Sequence, residues 1–250
     1  MPETSIIIRT RNEEKWIGIV LEKIFNQTYK NFEVILVDSG SNDKTLEIAK
    51  KFPTKILEIP FKDFSFPYAL NFGIKNSSAA KYVVIISAHS APISDTWLED
   101  GLNNFKKYDK IMGVYGFLKA LPDSSIWDKI FMNWRGAIRR LINRGNSVRI
   151  LINSAKLGVM GFTNAIILKE LWDKRNFNEN YGAGGEDGEW ASFWFGRGYE
   201  AIKDEKFTVL HSHNLNLIGW LRQIRYWKST GIPKQFNHKN FSFRKSKMFE

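Results

Sequence analysis

The sequence predicts an α/β protein with a mostly parallel central sheet flanked by helices. Three observations carry this. Short runs rich in Ile and Val, such as Ser5-Ile6-Ile7-Ile8-Arg9-Thr10 and the segment Tyr82 to Ser87, are nearly continuous in apolar residues, as strands covered on both faces require. Segments with helical spacing of apolar residues alternate with these runs through the first half of the chain. Polar turn sequences such as Ser39-Gly40-Ser41-Asn42-Asp43 stand between them.

The elements follow in order. After the first strand, Asn12 is expected to cap a helix in which Ile17, Val20, Leu21 and Ile24 share a face. Phe32 to Val37 reads as the second strand and ends at Asp38. The polar turn then opens a second helix that stops before Pro53. Lys55 to Ile59 is the third strand, Tyr68 to Lys75 a short helix, and Tyr82 to Ser87 the fourth strand. The second half is less regular. Gly113 to Phe117 and Ala165 to Leu168 read as strands, and Ile126 to Ile142 as a helix. Glu186 to Phe195 opens a helix after Gly184-Gly185. Phe207 to His213 is a strand, and Ile218 to Ser229 an amphipathic helix. No internal repeat or low-complexity linker interrupts this order. One domain over residues 1–214 with an extension over 215–250 is expected.

Composition narrows the function. The 250 residues contain no cysteine, which excludes a disulfide scaffold, a thiolate zinc site and a cysteine nucleophile. At 43% hydrophobic and 25% charged the chain can bury a core. No apolar run approaches the roughly 18 residues of a membrane span, and no basic leader precedes the first strand. A cytoplasmic location, peripheral at the inner face of the membrane, is the expectation. The formal charge of +11 is concentrated in two segments: +6 over residues 126–160 and +7 over 215–250. The remainder is slightly acidic, so the charge points to an acceptor or surface rather than to the sheet half. In the extension, Leu217, Trp220, Leu221, Ile224 and Trp227 recur at helical spacing beside Arg222 and Arg225. That pattern suits packing on the domain, an anionic membrane surface or an oligomer contact. No nucleic-acid motif accompanies the basic residues, so nucleic acid is not expected as a partner.

Polar residues gather where the strands end, the edge at which parallel sheets bind ligands. Thr10, Arg11, Asn12 and Glu13 follow the first strand, Asp38 the second, and Ser87 and His89 the fourth. No glycine-rich GxGxxG is present, which argues against a dinucleotide fold. Asp38 reads equally as a turn carboxylate. His211 and His213, two apart on a strand, would share a face and could pair as ligands, or form a solvated strand end. Glu186, Asp187 and Glu189 open a helix and serve either a general base or the helix dipole. Trp190 shares a face with Asp187 and is either a sugar platform or core.

The run Ser5 to Glu14, followed by Asn26-Gln27-Thr28-Tyr29 and by Val37-Asp38-Ser39-Gly40-Ser41, resembles the N-terminal signature of family 2 glycosyltransferases. Gly185-Glu186-Asp187-Gly188-Glu189-Trp190 resembles the same family's Glu-Asp motif. The resemblance implies a GT-A fold, with a nucleotide-binding half over about 1–110 and an acceptor half over about 111–214. It also implies inverting transfer of a sugar from a nucleotide-diphosphate sugar to a hydroxyl acceptor in surface glycan or polysaccharide synthesis. Thr10, Arg11, Asn12, Glu13 and Asp38 would then line the nucleotide pocket, with Asn71, Ser87, His89 and Asn164 as further donor-side residues. Asp187 would be the base, Glu186 its assistant and Trp190 an acceptor contact. The partners would be the donor and a glycan or lipid-linked acceptor. The family's Asp-x-Asp, which holds a divalent cation (Mn2+ or Mg2+), is replaced here by Ser87-Ala88-His89. His89, with His211 and His213, is therefore either a metal ligand or a direct diphosphate contact, with a structural role the remaining alternative. The missing motif also admits a degenerate domain that binds a nucleotide or glycan without turnover.

Overall fold

The structure, a computed structural model, describes residues 1–133, 147–153, 160–182 and 184–230. The strands are β1 (Thr4–Thr10), β2 (Phe32–Asp38), β3 (Thr54–Glu58), β4 (Tyr82–Ser87), β5 (Ala91–Pro92), β6 (Ile111–Lys119), β7 (Arg149–Ile152), β8 (Asn164–Leu168) and β9 (Glu200–Leu210). The helices are α1 (Ile17–Phe25), α2 (Thr45–Ala49), α3 (Phe66–Lys75), α4 (Trp97–Leu102), α5 (described over 126–133), α6 (Lys169–Lys174), α7 (Glu186–Phe195) and α8 (Leu217–Thr230).

One sheet runs in the order β3-β2-β1-β4-β8-β6-β9-β5, with β7 paired to β9. The first four strands in this order are parallel neighbours. β8 turns antiparallel between β4 and β6, and β6 and β9 run parallel. The chain leaves β1 for β2 and β3 on one side, then crosses to β4 on the other. The carboxyl ends of β1 and β4 therefore flank the point where the winding reverses, the place such sheets hold ligands.

Strand alternation divides the core. Ile6 and Ile8 pack with Ile17, Val20, Leu21 and Ile24 of α1 and with Trp97 of α4. Ile7, between them, faces the opposite layer with Leu70 and Ile74 of α3 and Trp190 of α7. Three consecutive isoleucines are thus all buried because both faces are covered. A Cβ added to Gly73 would lie 2.7 Å from Ile7 and 2.9 Å from Val37, so the missing side chain lets α3 lie directly on β1 and β2.

Several local expectations change. Asn12 does not cap α1, whose N-cap is Trp16. Asn12 instead takes a left-handed φ of 52° and clips two loops together, its Oδ1 accepting from Asn42 N–H and its own N–H donating to Ser41. β9 begins at Glu200 and ends at Leu210, before the histidines. β7, α4 and α6 have no counterpart in the sequence reading. Among the described side chains of α8, Trp220 and Gln223 are buried, while Leu217 and Leu221 are exposed; the side chain of Trp227 lies outside the described residues. Residues 134–142 of the expected helix 126–142, and the chain beyond 230, lie outside the described residues.

Candidate active site

Three of the four histidines meet at the carboxyl edge of β4 and β9. His89, His211 and His213 offer ligand nitrogens that all lie within 4.8 Å of one another. Nε2 of His211 and Nε2 of His213 are 3.0 Å apart. The rings of His89 and His211 stack with centroids 4.7 Å apart. Nδ1 of His89 meets Oε1 of Glu13 at 2.7 Å, and Nδ1 of His211 meets Oγ of Ser90 at 2.9 Å. Burial, then the neighbouring His89 and His213, hold His211 well below the usual imidazole range. His213 sits at the rim and is exposed as a residue. Its ring turns inward, and burial of that ring together with His89 pushes its pKa down to about 4, against the pull of Asp128. Both are neutral at pH 7, the form in which imidazole ligates a metal. The donor set fits a divalent cation: three close nitrogens, two of them oriented from behind by an oxygen partner.

The acids form the second group. Gly184 and Gly185, with φ of 110° and 100°, turn the chain sharply into α7. This places Glu186 and Asp187 at the free N–H end of that helix. Glu186 is buried and lies 3.7 Å from Nη1 of Arg9. Burial first, and the Asp187 charge second, push Glu186 up to about 7, with Arg9 opposing. Burial also raises Asp187, although its Oδ1 accepts the Gly188 N–H at 2.7 Å. Arg9 lies 4.7 Å from the Phe66 ring centroid, and its Nη1 has no hydrogen-bond partner. Arg9 and Glu13 thus tie the acids and the histidines, respectively, to the end of β1.

The remaining expected residues divide. Thr10 is buried at the end of β1; its carbonyl accepts from Ser39, and its Oγ1 has no partner. Arg11 lies over the exposed Phe61 ring at 3.5 Å. Asp38 is fully buried, and its oxygens accept from Gly40 N–H, Ser41 N–H and the Ser41 hydroxyl. It is the carboxylate of its own turn. Ser87 Oγ is 3.4 Å from His89. Asn164 donates to the Phe207 carbonyl while its Oδ1 stays unpartnered.

Two placements correct the expectation. Asn71 donates to the Phe177 carbonyl and to Glu179, and accepts from Trp172 and Phe177. All four of its hydrogen-bonding positions are spent bracing the 177–179 loop, so none faces a nucleotide. Trp190 is 0% exposed; its Nε1 donates to the Arg175 carbonyl and its ring packs among Phe162, Phe177 and Trp194. It is core, and no sugar can reach it.

Three residues escaped the sequence reading. Arg9 is the charged residue of β1, and alternation alone places it opposite Ile8. Ser90 stands in the polar run after the fourth strand, but its pairing with His211, 121 residues away, has no local signal. Asp128, the single acid of the basic 126–160 segment, is fully buried and accepts from the N–H groups of His213, Asn214 and Leu215 and from Trp220 Nε1. It fixes the backbone of His213 to α5 and α8.

Residues 5–173 match the model of the glycosyl transferase family 2. A dolichyl-phosphate-linked sugar glucuronosyltransferase of Methanococcus voltae is 34% identical over 131 residues, covering 48% of this chain and 40% of that protein. A poly-beta-1,6-N-acetyl-D-glucosamine synthase of Staphylococcus epidermidis is 29% identical over 187 residues, covering 70% of this chain and 43% of that one. The chain spans less than half the length of these relatives. Among solved structures, a mannosyltransferase of Pyrobaculum calidifontis in complex with GDP-Man and Mn2+ superposes with a TM-score of 0.63 at 18% identity, covering 90% of this chain and 61% of that one. Glucosyl-3-phosphoglycerate synthase of Mycobacterium tuberculosis, in complex with Mn2+ and UDP, gives 0.63 at 16% identity, covering 93% and 81%. These likenesses establish the GT-A fold, and the match over residues 5–173 means that the chain belongs to glycosyl transferase family 2.

Proposed function

We propose that the chain is an inverting glycosyltransferase that moves a sugar from a nucleotide-diphosphate sugar to a hydroxyl acceptor in glycan synthesis. The observation that carries this is the Glu186–Asp187 pair beside Arg9 at the sheet's switch point. Two adjacent, desolvated carboxyl groups with raised pKa values are costly to fold and suit proton transfer. Asp187, the more open of the two, accepts the proton of the acceptor hydroxyl as that oxygen attacks the anomeric carbon. The bond from that carbon to the diphosphate oxygen breaks, and the diphosphate leaves with the electron pair. Glu186, pushed up to about 7 by burial and by Asp187, keeps its proton well above the usual carboxylate range and stands 3.7 Å from Arg9. Nη1 of Arg9, 3.7 Å from Glu186, and Oγ1 of Thr10 are buried at this end of β1 without a hydrogen-bond partner. The relatives' names and the Mn2+ complexes of the neighbours support a nucleotide sugar and a divalent cation. His89, His211 and His213 would hold that ion, which would supply positive charge for the leaving diphosphate.

The acceptor side has its own signal. Ile126 and Ile130 of α5 and Leu217, Ile218 and Leu221 of α8 are exposed. Stacking of Phe131 on Trp220, at 5.1 Å, holds the two helices together. Arg222 and Arg225 of α8 are exposed as well. A face of that chemistry suits an anionic lipid surface carrying a lipid-linked acceptor. No helix among the described residues is long and apolar enough to cross a membrane.

Donor turnover with a panel of nucleotide sugars tests the activity. Asp187→Asn should lower transfer by roughly 100- to 10,000-fold while nucleotide binding persists. Full transfer by that variant would refute the base assignment, and tight nucleotide binding without turnover under any donor or metal would refute catalysis. Co-flotation with anionic but not neutral vesicles tests the lipid face.

A further inference from the structure

Among the described residues, the cluster of His89, His211 and His213 contains no carboxylate ligand. Glu13 is the nearest acid, and its Oε1 is engaged by Nδ1 of His89 at 2.7 Å. Asp128, the other acid near the cluster, accepts four N–H groups. Resting on the reading of this cluster as the cation holder, we propose that it is an all-nitrogen site that takes first-row transition-metal ions and rejects Mg2+, with Glu13 as the positioning residue that aims His89.

Three observations support this. First, two nitrogens bound at right angles to one ion, each about 2.1 Å from it, stand ~3.0 Å apart. The two Nε2 atoms of His211 and His213 are already 3.0 Å apart. Second, the other ring nitrogen is engaged from behind on two of the three rings. With Nδ1–H of His89 donating to the Glu13 carboxylate, the Nε2 lone pair is left to face the cluster. Ser90 does the corresponding work on Nδ1 of His211. A carboxylate behind a ligating imidazole fixes its tautomer and raises its basicity. Glu13 is itself held, since its N–H donates to Oγ1 of Thr45 at the start of α2. Third, Mg2+ demands oxygen ligands and gives up water reluctantly, whereas imidazole suits Co2+, Ni2+ and Zn2+, with Mn2+ the weakest of the series. Three neutral ligands also leave the dication's charge undiminished toward a diphosphate, where an Asp-x-Asp would cancel part of it.

The test needs neither donor nor acceptor. The full chain is stripped with a chelator and titrated with Co2+ while visible absorption is recorded. The expected result is stoichiometric uptake with visible bands that Zn2+ abolishes and about a hundredfold excess of Mg2+ does not. Glu13→Gln should weaken Co2+ binding by about 10- to 100-fold and alter the spectrum, because a neutral amide keeps the contact but not the basicity. Glu13→Asp should restore part of the affinity. His213→Ala, at the exposed rim, should lose the spectrum while keeping the thermal melt of the parent. Displacement of Co2+ by an equal concentration of Mg2+, or unchanged Co2+ uptake in His89→Ala and His213→Ala, would overturn the proposal. If Co2+ binds as described but no sugar is transferred, the reading as a transferase fails and this one stands. If transfer proceeds with Mg2+ and no Co2+ is taken up, the reverse holds.

Discussion

Replacing Glu186 by Gln should change the pH dependence of stability in a calculable way. Glu186 is buried, with its side chain only 5% exposed, and its pKa is raised from the ordinary 4.5 to about 7. In the unfolded chain the carboxyl ionises first. Below pH 4.5 it is protonated in both states and burial carries no ionisation penalty. Between 4.5 and about 7 the unfolded state loses the proton while the folded state keeps it, so folded stability falls with rising pH. Above about 7 both are ionised and the loss levels off. At ~1.4 kcal/mol per pH unit, that displacement amounts to about 3 kcal/mol. Glutamine has no proton to lose, so the variant should gain about 3 kcal/mol on the parent between pH 4 and pH 8. Urea unfolding followed by far-UV circular dichroism at pH 4, 5, 6, 7 and 8 measures the difference directly. Parallel stability curves for parent and variant, within about 0.5 kcal/mol, would refute the claim that a desolvated, proton-retaining Glu186 stands beside the base.

Other outcomes follow from the same geometry. Asp187→Asn should lower transfer by roughly 100- to 10,000-fold, the range of a lost general base, with Co2+ uptake unchanged, as read by donor turnover and absorption. Transfer by the parent enzyme should fall as pH drops through the raised pKa of Asp187, because only the ionised carboxylate accepts a proton; transfer that stays flat down to the pH at which the protein unfolds would contradict this. Asp128→Ala leaves three backbone N–H groups and the Trp220 indole without their acceptor. It should cost about 3 kcal/mol or more in urea unfolding, together with weakened Co2+ binding through His213. Gly116→Ala would place a Cβ 1.5 Å from the Phe207 carbonyl oxygen and 2.2 Å from Asn164 Nδ2. With backbone as the obstacle, a loss of about 3 kcal/mol or failure to fold is expected, seen as a lowered melting temperature.

Much of the N-terminal half was legible in the chain itself. Ile6-Ile7-Ile8, Val34 to Val37 and Val83 to Ile86 are unbroken apolar runs, and β1, β2 and β4 stand where those runs do. The short elements were not legible. β5 has two residues and β7 four, and their place depends on β9, a strand from elsewhere in the chain. Asn12 looked like a cap because Asn is a good one, but the local competition went to a left-handed turn that joins two loops. In α8 the periodicity was real, yet Trp220 is buried against α5 while Leu217 and Leu221 of the same expected stripe stay exposed.

For the site, the sequence by itself determined which chemical groups are present: adjacent acids at a helix start, a histidine where an aspartate would be expected, and a His-x-His near the end of a strand. These are properties of neighbouring residues, so order and spacing carry them. Only the tertiary structure decided what those groups do to one another. Glu13 and His89 are separated by 76 residues, and Ser90 and His211 by 121. Arg9 reaches Glu186 across most of the chain. Removal of Trp190 and Asn71 from the list of ligand contacts came from burial and hydrogen-bond saturation, and no local pattern encodes either. Desolvation depends on everything packed around a group. That is why an acid pair visible in the sequence acquired its raised pKa values only in the fold.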